Sequence, residues 1–369
     1  MNSNLPLTSS VFHELFILEL ANNHLGDVER GLQIIRQHAQ VVRFNNMRAT
    51  IKLQFRDVDN FIHKEFRNRQ DIRYIKKTIK TKLDRDAYHT LVAAIKESGC
   101  LTSATPFDET SVELCEELNL DFIKLASSDL NDWFLIERIA KTGKPVVFSV
   151  GGSSLKDIDD LVRFFSRRNI RFAINHCVSI YPSEDYELEL NQIDFLRNRY
   201  PGIVIGFSSH EYRSWNASMY VAYAKGARMF ERHIDIAGDG VEVSPYCSLP
   251  HQVDEWFRAF QGAKEMCGNA GVERRRIPRK EREYLDQLVR GVYAKRDLPK
   301  GHILHHTRMG EDFYLAIPLQ KGQLSCREVM NGQELKNGLK ADAPLSIDDI
   351  KGEYSENAAI RNFIFQRGL

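Results

Sequence analysis

Residues 203–235 read IVIGFSSHEYRSWNASMYVAYAKGARMFERHID. IVIGF is a short apolar, β-rich run, and it ends at Ser208, Ser209 and His210. SWNASMYVAYAKGA opens on Ser and Asn, carries small and apolar residues at helical spacing, and stops at Gly226. RMFERHID is a second run, closing on His233. The stretch is therefore strand, helix, strand. A right-handed crossover makes the two strands parallel and neighbouring, so both histidines emerge at one edge of the sheet. A lone histidine reads as a half-buried structural side chain. Two neutral imidazoles side by side on a strand-end rim can instead hold a divalent metal with positions open for substrate. The other strand ends decide between these readings.

Similar units recur along the chain. ELFILEL (14–20), ATIKLQF (49–55), CLTSAT (100–105), DFIKLASS (121–128), PVVFSVG (145–151) and RFAINHCV (171–178) are each followed by a helical pattern. With IVIGF and RMFERH they make eight strands, and HQVDEWFRAFQGAKEMCG supplies the final helix. Eight strand–helix units over about 255 residues predict a (β/α)8 TIM barrel spanning 1–268. An open doubly wound sheet fits the alternation too, but no strand–GxGxxG–helix unit or GxxxxGK[ST] loop is present. Residues 269–287 read as a charged linker with a short helix, and 288–350 as a compact, turn-rich β module. The tail 351–369 shows only a weak amphipathic pattern (Ile360, Phe363, Ile364, Phe365).

Composition narrows the function classes. The 51 basic and 50 acidic residues nearly cancel, which argues against a nucleic-acid surface. The six cysteines are scattered without a CxxC pair, as in a reduced cytosolic protein. No signal-peptide pattern or membrane-length apolar run occurs, so the expectation is a cytoplasmic protein without a membrane partner.

In such a barrel the site is built at the C-terminal ends of the strands. Glu19 lies there on strand 1, and Lys52 and Gln54 alternate onto one face of strand 2. Thr105, Lys124, Ser127, Ser149, Ser179, Tyr181 and Ser208 follow on later strand ends, before His210 and His233; His176 on strand 6 is counted with them. A lysine inside an apolar strand is costly unless its charge is matched. Lys52 and Lys124 at matching places, ringed by hydroxyls and glycine-flanked N–H groups, suit a phosphate and a carboxylate on one ligand. With the histidine pair they indicate a metal-assisted enzyme that brings a phosphorylated carboxylic acid to a carbonyl partner. Glu19 is a candidate general acid/base or hydroxyl anchor.

These residues stand in a familiar order. ELANNHLGD (19–27) resembles the opening motif of the sialic acid synthase (N-acetylneuraminate synthase) family, and IKLQF (51–55) its K-x-Q strand. TPFDETSVELCEELNLDFIKLASSDLNDWFLIERIAKTGKPVVFSVGGSSLKDI (105–158) follows that family's longest signature block. HCVSIYP, GFSSH and FERHID come in the family's order and spacing. The module at 288–350 resembles the antifreeze-like SAF domain of these synthases, with Asp297-Leu298-Pro299-Lys300-Gly301 as its turn.

The resemblance implies condensation of phosphoenolpyruvate with an open-chain amino-sugar aldehyde, N-acetylmannosamine-like or modified. The product is a nonulosonic 2-keto-3-deoxy sugar acid plus phosphate. It implies Mn or Mg at His210 and His233, with His233 and Glu19 catalytic. Lys52, Thr105, Lys124, Ser127, Ser149, Ser179 and Ser208 would bind phosphoenolpyruvate, and Gln54 and Tyr181 the sugar. A domain-swapped homodimer is the implied assembly. A metal-dependent pyruvate aldolase and a catalytically silent sugar-phosphate-binding barrel are the alternatives. Several positions depart from the family pattern. Ser209 replaces the usual Asp and Ser179 a common Asn. Ser244 stands near the place of another Asp, with Glu242 or Asp239 as substitutes, and Ile317-Pro318-Leu319 replaces Arg-Pro-Gly. The phosphoenolpyruvate half is thus kept and the sugar half altered, which implies a non-standard acceptor.

Overall fold

A computed structural model describes residues 11–69, 71–238, 240–268, 273–329 and 332–369. The chain divides into two compact units, Met1–Gly268 and Asn269–Leu369.

The first unit is a closed barrel of eight parallel strands in sequence order. The strands are β1 (Leu15–Ala21), β2 (Ala49–Phe55), β3 (Leu101–Pro106), β4 (Phe122–Leu125), β5 (Val146–Ser149), β6 (Phe172–Cys177), β7 (Val204–Ser209) and β8 (Met229–His233). β8 pairs with β1, setting His233 opposite Glu19 in the register and closing the sheet without an edge. Each strand leads into at least one helix, and the β2 crossover carries three, Val58–Phe61, Arg73–Lys80 and Arg85–Glu97.

Strand alternation sorts the core into two parts. Outward residues such as Phe16, Ile51, Phe148 and Phe230 pack under the helices. Phe16 shows how tightly: it meets Trp256, Phe257 and Phe260 of helix Pro250–Cys267 edge-on, at ring-centroid distances of 5.1, 4.9 and 5.0 Å. Inward residues Leu15, Ile17, Phe122, Val147, Ala173, Val204 and Met229, with Phe12 beneath them, plug the barrel floor. The apolar floor leaves the polar inward positions for the other end. His176 departs from expectation. It sits one register place off the inward face, and its Nε2 lies 2.8 Å from the Leu188 carbonyl, so it is not a rim residue.

The second unit contains an antiparallel pair, β9 (Gly291–Ala294) and β10 (Phe313–Ala316), and several single bridges around Val292, Leu304, Leu324, Leu335, Leu345 and Ile347. Helix Ala358–Phe365 adds the fully buried Ile364 to this core, so the segment read as a tail is an integral part of the unit. Helix Arg279–Asp286 lies within the segment read as linker. Among the described residues, no helix is long and apolar enough to cross a membrane.

Candidate active site

The polar inward residues line one cavity of about 760 Å³ at the C-terminal ends of the strands. Glu19, Lys52, Gln54, Thr105, Lys124, Ser127, Ser149, Ser179, Tyr181, Ser208, His210 and His233 all border it. Residues drawn from all eight strand ends and 215 positions of chain thus meet in one space, because each inward position of a closed barrel points at the same axis.

At the bottom of the cavity Lys52 and Lys124 are 2% and 3% exposed, and both contact the Glu231 carboxylate. Lys52 Nζ lies 3.3 Å from Glu231 Oε1, donates to Thr105 Oγ1 at 3.0 Å, and also contacts Glu19. Burial brings the Lys52 ammonium down to about 7, against the opposing pull of Glu231. Burial raises the Glu231 carboxyl, but Lys124 and Lys52 outweigh it and hold the group below the usual carboxylate range. Asn175 Nδ2 donates to Glu231 Oε2 at 2.7 Å. Gly206 makes room for that amide, since a Cβ there would stand 2.1 Å from Asn175 Oδ1. A polar chain continues upward: Gln54 Nε2 donates to Glu19 Oε1 at 3.0 Å, and Arg56 Nη1 donates to Gln54 Oε1 at 3.0 Å.

A hydroxyl wall flanks this charge cluster. The Gly151 N–H donates to Ser127 Oγ at 3.1 Å, and Ser127 Oγ lies 3.4 Å from Cys177 Sγ. Gly151 lets β5 and β6 close around Ser179, because a Cβ would meet Ser179 Oγ at 2.4 Å.

His210 and His233 face each other at a ring-centroid distance of 5.6 Å, with Tyr181 4.0 Å from the His210 ring and Tyr246 5.2 Å from the His233 ring. The Nδ1–H of His210 donates to the Val178 carbonyl at 2.9 Å, which fixes the tautomer and leaves the Nε2 lone pair free for a ligand. Burial lowers His210 to about 4 and, with His210 and Lys52 adding to it, lowers His233 well below the ordinary value. Both rings are neutral at pH 7, the form that ligates metal.

Behind them Arg232, 1% exposed, donates to Ser209 Oγ at 3.0 Å and to the Glu211 carbonyl at 2.6 Å, and contacts Ser248. This network ties together the two segments that carry the histidines. Ser209 is part of it and points away from the cavity side. Among the described residues no three His, Cys, Asp or Glu side chains form a metal-binding group. The donor set therefore consists of two imidazoles, which fits a divalent ion that keeps most of its positions for water and substrate.

Sequence reasoning missed several lining residues: Glu231, Arg56, Asp129, Arg73, Lys77 and Tyr246. Glu231 and Arg56 were discoverable, because each lies two positions from a chosen residue, His233 and Gln54, and alternation puts it on the same face. Arg73 and Lys77 are one helical turn apart in the β2 crossover, and nothing local tells that this helix overhangs the cavity. Of the candidates for the altered acidic position, Ser244 and Glu242 do not line the cavity, whereas Tyr246 does. Asp239 lies outside the described residues.

A family model described as NeuB family matches residues 35–270. Human N-acetylneuraminate-9-phosphate synthase is 27% identical over 300 residues, covering 79% of this chain and 81% of that protein. Pseudaminic acid synthase from Helicobacter pylori is 28% identical over 249 residues, covering 67% of this chain and 71% of that protein. Among solved structures, a Chromobacterium violaceum protein described as spore coat polysaccharide biosynthesis protein E aligns with a TM-score of 0.87 at 37% identity. That alignment covers 92% of this chain and 100% of the other.

Proposed function

The chain belongs to the NeuB family, and from that membership we propose that it condenses phosphoenolpyruvate with an open-chain amino-sugar aldehyde. The products are a nonulosonic 2-keto-3-deoxy acid and inorganic phosphate. The observation that carries the reading is the meeting, in one cavity, of two nearly fully buried lysines with two facing neutral imidazoles. Relatives named as synthases of sialic-type acids support it.

In this reading Lys52 and Lys124 bind the phosphate and carboxylate of phosphoenolpyruvate, with Thr105, Ser127, Ser149, Ser179 and Ser208 donating hydroxyl hydrogen bonds. Gln54 and Tyr181 orient the aldehyde. His210 and His233 would hold a divalent cation, Mn or Mg, which when bound supplies a Lewis acid for the aldehyde carbonyl. C3 of phosphoenolpyruvate attacks the aldehyde carbon, and the carbonyl electron pair moves to oxygen, which takes up a proton. Water adds at the cationic C2 and loses a proton, and collapse of that centre expels phosphate. Glu19, held between Lys52 and Gln54, faces the reacting carbons and is placed to exchange these protons. The apolar floor closes the cavity from below and keeps its charges in a low dielectric.

The second unit is proposed to be an SAF-like module, and the working form a domain-swapped homodimer in the cytoplasm. The test is phosphate release from phosphoenolpyruvate with Mn and a panel of hexosamines. Release with at least one sugar is the expected result. Turnover of pyruvate instead would point to an aldolase, and failure with both donors across the panel would sink the condensation reading.

A further inference from the structure

The cavity holds a second group of cations that this chemistry leaves unused. Arg56 lies just past β2, and Arg73 and Lys77 project from helix Arg73–Lys80 above it; all three line the same cavity as Lys52 and Lys124. Exposure separates the two groups. Lys52 and Lys124 are buried at the bottom, whereas Arg56 and Lys77 are half-buried and Arg73 is exposed at the mouth.

Their charge balance differs as well. The deep lysines are matched by Glu19 and Glu231. Among the described residues, none of Arg56, Arg73 and Lys77 forms an ion pair with a carboxylate, and Arg73 and Lys77 donate no side-chain hydrogen bond. Arg56 gives one N–H to Gln54 and lays its guanidinium 3.6 Å from the Phe107 ring centre, which fixes it in place without neutralising it. The three charges feel one another: burial lowers the Lys77 ammonium, and Arg73 and Arg56 lower it further, against the opposing pull of Cys247 and Asp235. The one carboxylate beside them in the cavity lining is Asp129, which burial pushes up to about 6 and whose Oδ2 is buried without a hydrogen-bond partner. Asp108 also acts on Arg56 and Asp235 on Lys77 from outside the cavity lining, but three cations that form no ion pair, held together at the mouth, still favour a bound anion.

We propose that Arg56, Arg73 and Lys77 form a second anion subsite, and that the acceptor aldehyde carries its own anionic group, a phosphate monoester or a carboxylate, at the end remote from the aldehyde. This rests on the condensation reading above for the identity of the acceptor. A phosphate monoester dianion suits three cations that form no ion pair, and a guanidinium pair suits its oxygens. Tyr74 and Tyr246 also line the cavity, and the Tyr246 ring lies beside His233.

The test compares three probes, N-acetylmannosamine, its 6-phosphate and the corresponding uronic acid, by the consumption of phosphoenolpyruvate. A charged probe is expected to show a KM at least about tenfold below that of the neutral sugar. In an Arg73→Gln/Lys77→Gln variant that advantage disappears while the KM for phosphoenolpyruvate stays within about twofold. Preference for the 6-phosphate identifies a phosphate monoester, and preference for the uronic acid a carboxylate. Equal use of the neutral sugar, or an equal rise in the KM for phosphoenolpyruvate, overturns the proposal. If no probe turns over, calorimetric binding of the same three compounds to the phosphoenolpyruvate-loaded protein decides it. Tighter binding of a charged probe then upholds the subsite although condensation fails, and equal or absent binding overturns it.

Discussion

Replacing Glu231 by glutamine removes the negative charge from between two buried ammonium groups while keeping the side chain's size. In the wild type the carboxylate contacts both Lys52 and Lys124, and all three residues are at most 5% exposed. Removing one partner of a buried charge cluster costs about 3–5 kcal/mol. With a urea m-value of roughly 3 kcal/mol per M, the midpoint falls by about 1–1.7 M. All three tryptophans, Trp133, Trp215 and Trp256, lie in the first unit, so their fluorescence follows unfolding of the barrel. The Glu231 carboxyl is held below its ordinary value of 4.5, so its contribution is complete above that pH and is lost as the pH falls below it. The difference between wild type and variant is therefore full at pH 7 and shrinks in acid. Lys124→Met combined with Glu231→Leu should cost less than the sum of the single changes, because no orphaned charge remains. A Glu231→Gln midpoint within about 0.2 M of wild type, a small fraction of the expected shift, would refute the idea that this carboxylate neutralises the lysines.

Three further outcomes follow from the same geometry. Lys52, brought to about 7, gains its proton when an anion arrives, so phosphoenolpyruvate affinity should weaken up to about tenfold per pH unit above 7; calorimetry showing equal affinity at pH 6 and pH 9 would sink this. Gly151→Ala pushes a methyl to 2.4 Å from Ser179 Oγ and 2.8 Å from Cys177 Sγ, so it should destabilise the barrel by about 1–3 kcal/mol and raise the KM for phosphoenolpyruvate; a variant with wild-type urea midpoint and KM contradicts the close approach. His210→Ala should abolish Mn binding followed by titration calorimetry while leaving the unfolding free energy within about 1 kcal/mol; undiminished Mn binding would place the ion elsewhere.

The barrel was legible because its signals are local. Apolar runs of strand length alternating with helical patterns specify eight repeats, and a two-residue period specifies which side chains share a face. Lys52, Gln54, Lys124, His210 and His233 were each found by one rule, a polar residue on the inner face of an apolar strand end. The same period placed Glu231 beside His233, but a glutamate in MFERH looks like an ordinary solvent-facing residue until closure of the sheet turns it inward. His176 shows the reverse error, since it stands beside a strand end yet faces the helix layer.

What the sequence by itself determined is the set of inward residues at the strand ends, because alternation along a strand needs no knowledge of any other strand. Which charges meet was decided only by the tertiary structure. The partnership of Glu231 with lysines 179 and 107 positions earlier depends on closure of β8 onto β1 and on the stagger of β2 and β4. The mouth cations depend still more on the fold. Arg73 and Lys77 lie on a crossover helix whose position over the cavity comes from packing, and Coulomb energies between groups follow distance in space rather than separation along the chain.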